Sequence, residues 1–357
     1  MPAQMGTAAM AEAALVENAL DVGKLTAWME AHVPEFEGPI GLDKFAGGQS
    51  NPTFALDTAT QHYVLRRKPA GALLASAHAV DREYRLLSAL HPEGFPVPRP
   101  IALCEDDAVI GSAFYVMERI KGRTLWDGAL PDETPAARRA IYVEMVETLA
   151  RLHRFDPAQV GLADYGRPGN YFERQVARWS RQYRASQTED VPEVEKLIEW
   201  LSRTVPEQSA STIIHGDYRL DNLIFDPSRP KVLAVIDWEL STIGDPLADF
   251  SYFAAHWLMP ADGLAALGNV DLEAAGIPSL DEITDLYCQM SGRPRIANPH
   301  WYFAFNLFRI VGIVQGIRKR IIDGTASSLE AEKAAAKLVP MARLGWEQAR
   351  LAGALEP

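Results

Sequence analysis

Apolar and polar positions divide the chain into a strand-patterned part and a helix-patterned part. Up to about Val33 the apolar residues recur at helical spacing, which predicts one or two amphipathic helices ending near Pro34. The period then shortens to β-like runs at Ile40–Ala46, Thr53–Asp57 and His62–Arg67. Gly47-Gly48-Gln49-Ser50-Asn51 and Thr58-Ala59-Thr60-Gln61 separate them, which predicts a three-strand meander. A helix is expected over about Ala77–Leu90, with Val80, Tyr84, Leu87 and Leu90 roughly on one face. His91–Pro100 is too rich in proline for regular helix, and two more strands follow near Ile101–Cys104 and Ala113–Glu118. From Lys121 the period is mostly helical, with helices over Pro135–His153, Tyr171–Tyr183 and Pro192–Thr204. One β hairpin interrupts it, Asn222–Asp226 and Val232–Asp237 around Pro227-Ser228-Arg229-Pro230, and helix resumes after Asp245. The pattern predicts an α+β chain in two lobes. Residues 1–119 form a helical extension and a small β-rich lobe, and residues 120–357 a larger, mostly helical lobe.

Composition narrows the function. Of 357 residues, 48% are hydrophobic and 23% charged, an ordinary globular balance. The formal net charge of −12 argues against a general nucleic-acid binder, which needs a basic surface. Cys104 and Cys288 lie far apart without C-x-x-C spacing, so a disulfide framework or cysteine zinc site is not expected and a reducing cytoplasm fits. The N-terminus carries Glu12, Glu17 and Asp21 and reads poorly as a targeting peptide. The most apolar later stretch, Trp301–Ile317, is interrupted by Asn306, Arg309 and Gln315, which suits a buried helix better than a membrane span.

The strongest chemical signal is His215-Gly216-Asp217-Tyr218-Arg219-Leu220-Asp221-Asn222. Its H-x-D-x-x-x-x-N spacing is that of a kinase catalytic loop, where the Asp receives the acceptor-hydroxyl proton and the Asn binds Mg²⁺. Alone, the octapeptide also suits a polar turn between a strand and a hairpin. Fifteen residues past Asn222, however, an apolar strand ends in Ile236-Asp237-Trp238-Glu239. The intervening hairpin would return Asp237 to Asn222, as a second Mg²⁺ ligand requires. Glu239 reads equally as a metal or substrate contact and as a solvated carboxylate. His215 is expected to brace the loop, and His153, ending a long apolar helix, to be structural.

These residues resemble the aminoglycoside-phosphotransferase-like kinases over about residues 40–330. That family begins its loop H-G-D, as His215-Gly216-Asp217 does, places its metal acid in I-D-W/F-E, as in Ile236–Glu239, and follows with G-D-P…D, as in Gly244-Asp245-Pro246 and Asp249. The resemblance implies a protein-kinase-like two-lobed fold and ATP- and Mg²⁺-dependent phosphorylation of a small-molecule hydroxyl. Asp217 would be catalytic, and Asn222 and Asp237 the metal ligands. Gly216 replaces the arginine that grips an activation-loop phosphate in protein kinases, so regulation of that kind is not expected. Gly244-Asp245-Pro246, and Asp249 with it, are expected to form a helix-capping turn.

The nucleotide half would come from the N-terminal lobe. Gly47, Gly48 and Ser50 would approach phosphates, although they lack a G-x-G-x-x-G pattern. Arg66 stands at the position of the usual phosphate-binding lysine, with Glu83 as its expected helix partner, and Met117-Glu118-Arg119 would form the adenine hinge. A surface Arg–Glu pair without a catalytic role is the alternative for Arg66 and Glu83.

Within the family, the sequence is most similar to the branch found alone or fused to acyl-CoA dehydrogenases, through Tyr63–Pro69, Asn170–Val176 and Phe308–Ile317. This implies a hydroxyacyl-CoA or another CoA thioester as acceptor. Arg174, Arg178, Arg181 and Arg184 form a basic stripe at helical spacing and Arg318-Lys319-Arg320 a second cluster, which would suit such an anion; solvated faces are the competing explanation. A pseudokinase or nucleotide-binding scaffold, an amino-alcohol or aminoglycoside kinase, and an Asp/His hydrolase on another fold are the other functional readings. The sequence has no G-x-S-x-G, H-E-x-x-H or Walker A motif to support the hydrolase.

Overall fold

A computed structural model describes residues 20–34, 36–45, 51–69, 79–261, 265–325 and 329–355. The chain divides into two compact units, Met1–Lys121 and Gly122–Pro357. In the first, a helix over Val22–His32 precedes an antiparallel sheet of β1 (Gly41–Lys44), β2 (Thr53–Asp57), β3 (His62–Arg67), β4 (Pro100–Cys104) and β5 (Phe114–Glu118), in the order β1-β2-β3-β5-β4. The meander expected from the turn residues is there, with Thr53 opposite Arg66 and Asp57 opposite His62. The helix Val80–Leu90 buries Val80, Leu86, Leu87 and Leu90. Leu25, Met29, Leu56, Leu65, Phe114 and Val116 belong to one buried apolar cluster. The Gly47, Gly48 and Ser50 turn and residues 77–78 of the expected helix lie outside the described residues.

The second unit is mostly helical. The helices Pro135–Leu152, Pro192–Arg203, Pro246–Ala254 and Pro299–Ile322 each begin on proline, whose missing N–H is no loss in the first turn. Thr134 caps the first of these by accepting from Ala137 N. The helix Pro299–Ile322 contributes Trp301, Phe305, Phe308 and Val311 to a buried apolar cluster, alongside Phe172 and Trp179 of the helix Tyr171–Ser186.

The expected hairpin is β8 (Leu223–Phe225) and β9 (Val232–Val235), with Leu223 opposite Val235. The expectation of a single β segment here needs correction. β6 (Arg123–Thr124) adds to β8, while β7 (Thr212–Ile214) pairs antiparallel with β10 (Thr242–Gly244). These strands of two or three residues are too short to show a period, and long-range pairing alone defines them. Gly244 accordingly lies in a strand, leaving Asp245 as the cap: its side chain accepts from Leu247 N at 2.8 Å and from Ser209 N at 2.6 Å.

Two buried histidines make this unit sensitive to acid. Burial lowers the His153 pKa, and burial likewise lowers that of His256, to about 4. Between these values and the unfolded value near 6.5 the unfolded chain binds more protons, so stability must fall as pH drops through that window. His256 alone corresponds to about 3 kcal/mol lost between pH 6.5 and 4. Urea unfolding at stepped pH should show the decline, and His256→Gln should flatten it; equal slopes for variant and wild type would contradict the assignment.

Candidate active site

The loop His215–Asn222 leaves β7 and closes in a short 3₁₀ turn at Leu220–Asn222 that leads into β8. Its backbone is held from outside. Asp249, on the helix Pro246–Ala254, accepts from His215 N at 2.6 Å through Oδ2 and from Gly216 N at 2.7 Å through Oδ1. Asp249 therefore does not share the capping role expected from sequence; it is the anchor of the loop. Burial raises its pKa, but contacts with His153 and His215 outweigh this and leave it lowered, so the carboxylate is ionised. His153 lies 3.3 Å from that carboxylate through Nε2 and 2.7 Å from the Tyr287 hydroxyl through Nδ1. Its role is structural, as expected. His215 also braces: Nε2 donates to Ile236 O at 2.9 Å, and Nδ1 accepts from Asp217 N at 3.1 Å.

Gly216 has φ +85°, and a Cβ there would come within 2.6 Å of Leu240 O. The Gly216 carbonyl accepts from Arg309, a buried residue of the helix Pro299–Ile322. The glycine is needed both for its φ and for this close approach.

Asp217 is enclosed by donors. Tyr252 donates to Oδ1 at 2.6 Å, while Asn222 Nδ2 and Arg219 Nε donate to Oδ2 at 3.1 and 3.3 Å. Arg219 also pairs with Asp221 at 3.0 Å. Burial raises the Asp221 pKa, and its Oδ1 is buried without a hydrogen bond. Asn222 gives its amide N–H to Asp217, which leaves its amide oxygen as the acceptor end.

The β8–β9 hairpin brings Ile236 N to within 3.0 Å of Asn222 O, which sets Asp237 directly after the residue bonded to Asn222. Asp237 adopts φ +65°, a left-handed conformation that Asp tolerates better than most residues. Trp238 is buried beside the His215 ring, 4.6 Å between centroids, and donates its indole N–H to Val235 O. Asn222 and Asp237 offer only oxygen. Among the described residues no group of three or more His, Cys, Asp or Glu could hold a metal ion. This donor set fits Mg²⁺, a hard ion that takes one or two carboxylates and completes its shell with phosphate and water, rather than a caged transition metal.

In the first unit, Arg66 Nε lies 3.0 and 3.3 Å from the two Glu83 oxygens. Glu83 is 2% exposed and also accepts from Asn51 Nδ2 at 2.9 Å and Tyr115 OH at 3.2 Å, so the pair is not an exposed surface contact. Neither Asn51 nor Tyr115 was singled out in sequence. Glu118 ends β5, and its N–H is donated to Arg99 O.

Of the basic stripe, Arg184 is paired with a carboxylate, and in the second cluster Arg318 and Lys319 are. Arg184 pairs with Glu195 at 2.6 Å, Arg318 with Glu189 and Lys319 with Asp323 at 2.5 Å, and Arg174 donates to Arg167 O at 2.8 Å. Arg178 and Arg181 are exposed and form no ion pair among the described residues.

The chain matches the phosphotransferase enzyme family, APH, over residues 41–283, and belongs to it. Acyl-CoA dehydrogenase family member 10 of Mus musculus is 44% identical over 318 residues, which cover 88% of this chain and 30% of that protein. The chain spans 30–45% of the length of the first acyl-CoA dehydrogenase relatives it matches. A Ralstonia eutropha protein crystallised as a candidate aminoglycoside phosphotransferase is 47% identical with a TM-score of 0.86, covering 93% of this chain and 99% of that one. A spectinomycin phosphotransferase, solved with ADP and spectinomycin, is 11% identical with a TM-score of 0.62, covering 93% of this chain and all of that one. The protein-kinase-like fold expected from the sequence is thus established: an antiparallel N-terminal sheet followed by a mostly helical part.

Gly216→Ala tests the loop. An alanine at this φ costs about 1–2 kcal/mol before the contact with Leu240 is counted, so both thermal stability and turnover should fall. Wild-type melting and activity would show that the loop does not need this backbone shape.

Proposed function

We propose that this protein transfers the γ-phosphoryl group of ATP to the hydroxyl of a small molecule, in the presence of Mg²⁺. The observation that carries the reading is the enclosure of the Asp217 carboxylate by Asn222 and Arg219 of its own loop and by Tyr252 of the helix Pro246–Ala254, with Asp237 following Ile236, whose N–H bonds Asn222 O. Asp217 orients the acceptor hydroxyl and takes its proton while the new O–P bond forms, the bond from γ-phosphorus to the β,γ-bridging oxygen breaks, and ADP leaves. Asn222 and Asp237 would hold Mg²⁺, which when bound neutralises phosphate charge. Arg66, bonded at Nε to Glu83, would take the α- and β-phosphate oxygens in place of lysine, with Gly47, Gly48, Ser50 and the Glu118 segment as the remaining nucleotide contacts. ADP in the spectinomycin phosphotransferase supports the nucleotide by analogy of fold.

The acceptor we favour is a hydroxyacyl-CoA or similar anionic thioester. The exposed Arg178 and Arg181 suit an anion better than a polycationic aminoglycoside, whereas Arg219 and Arg309 are already engaged with the loop. The names of the acyl-CoA dehydrogenase relatives point the same way. ADP release should be measured side by side with hydroxyacyl-CoAs, aminoglycosides, amino alcohols and sugars. The highest kcat/KM is expected for a hydroxyacyl-CoA, and Asp217→Asn should lower turnover by about 10²–10⁴-fold with Mg²⁺–ATP binding retained. Preferred turnover of an aminoglycoside would overturn the acceptor assignment; unchanged turnover in Asp217→Asn would overturn the catalytic one.

A further inference from the structure

Tyr252 has no place in the roles assigned so far, yet it makes the shortest contact to Asp217. It sits on the helix Pro246–Ala254, 35 residues beyond Asp217, and its hydroxyl donates to Asp217 Oδ1 at 2.6 Å. The side chain is buried, and the Arg309 guanidinium lies 5.0 Å from the ring centroid. Arg309 also holds the Gly216 carbonyl. One helix therefore grips the loop twice: Asp249 holds its backbone N–H groups, and Tyr252, one turn further on, holds its carboxylate. Burial, first, and the neighbouring carboxylate, second, push the phenol pKa far up, so the hydroxyl remains a donor at every working pH.

A phenylalanine would fill the same space and keep the stack with Arg309. The hydroxyl adds one thing, a charge-assisted bond to the carboxylate oxygen that Asn222 and Arg219 do not hold. With Oδ2 bonded on one side and Oδ1 on the other, the carboxylate plane cannot rotate without breaking a bond. We propose that Tyr252 is a positioning residue, whose hydroxyl fixes the Asp217 carboxylate in the one orientation that meets the acceptor hydroxyl. The inference rests on Asp217 being the group that orients the acceptor. Misorientation of such a group lowers the chemical step and leaves nucleotide binding alone.

The test is a double-mutant cycle on the full chain, using the acceptor that gives the highest turnover in the panel above and Mg²⁺–ATP as the binding probe. Tyr252→Phe should lower kcat by about 10–100-fold, with KM for Mg²⁺–ATP and the melting temperature close to wild type. In an Asp217→Asn background the same change should cost less than about twofold, because its effect runs through the carboxylate. Wild-type kcat in Tyr252→Phe, or an equal loss in both backgrounds, would overturn the proposal and leave the kinase reading standing. Wild-type kcat in Asp217→Asn alone would overturn both.

Discussion

The second unit depends on an ionised carboxylate buried where no water reaches it. Asp249 is 1% exposed, and burying such a charge is tolerable only if hydrogen bonds replace its hydration. Two backbone N–H groups, from His215 and Gly216, and the His153 ring supply them. The dependence is mutual: the carboxylate needs these donors, and the loop takes the one path that delivers them. A strand end, a helix and a glycine are thereby locked together before any chemistry is considered.

The remaining geometry follows from that lock. Because Gly216 must turn its N–H to Asp249 and its carbonyl to Arg309, it takes a positive φ and lies against Leu240. The next residue, Asp217, then points where Tyr252, Arg219 and Asn222 can reach it. His215 ties the same loop to Ile236 O, and Ile236 N bonds Asn222 O. Asp237 is thus registered to Asn222 from two directions, and its left-handed backbone is maintained by neighbours that leave little alternative.

How much of this was legible in the sequence depended on range. Features separated by no more than about twenty residues could be read: β2 and β3 to the residue, the hairpin that returns Asp237 to Asn222, the Arg66–Glu83 pair, and the bracing role of His215. Fixed spacings encode these. Asp249 and Tyr252 were misread or missed because they act 33 to 35 residues from their partners, through a helix whose orientation no local pattern encodes. β7 and β10 were missed for a related reason, since strands of three residues are defined by each other. The partners of the basic residues were hidden in a different way. Helical spacing put its arginines on the helix Tyr171–Ser186, but nothing in that spacing announced Glu195 as the partner of Arg184 from the following helix, or Glu189 as that of Arg318.

The central claim is that this loop and Asp237 form a Mg²⁺–nucleotide site, and calorimetric titration of ATP, with and without Mg²⁺, into wild type and Asp237→Ala tests it most directly. The account predicts Mg²⁺-dependent binding by wild type and a loss of about tenfold or more in the variant, since one carboxylate ligand to a bridging metal accounts for at least 1.4 kcal/mol, roughly a factor of ten. Equal affinity in the two proteins, or binding by wild type that does not respond to Mg²⁺, would contradict it.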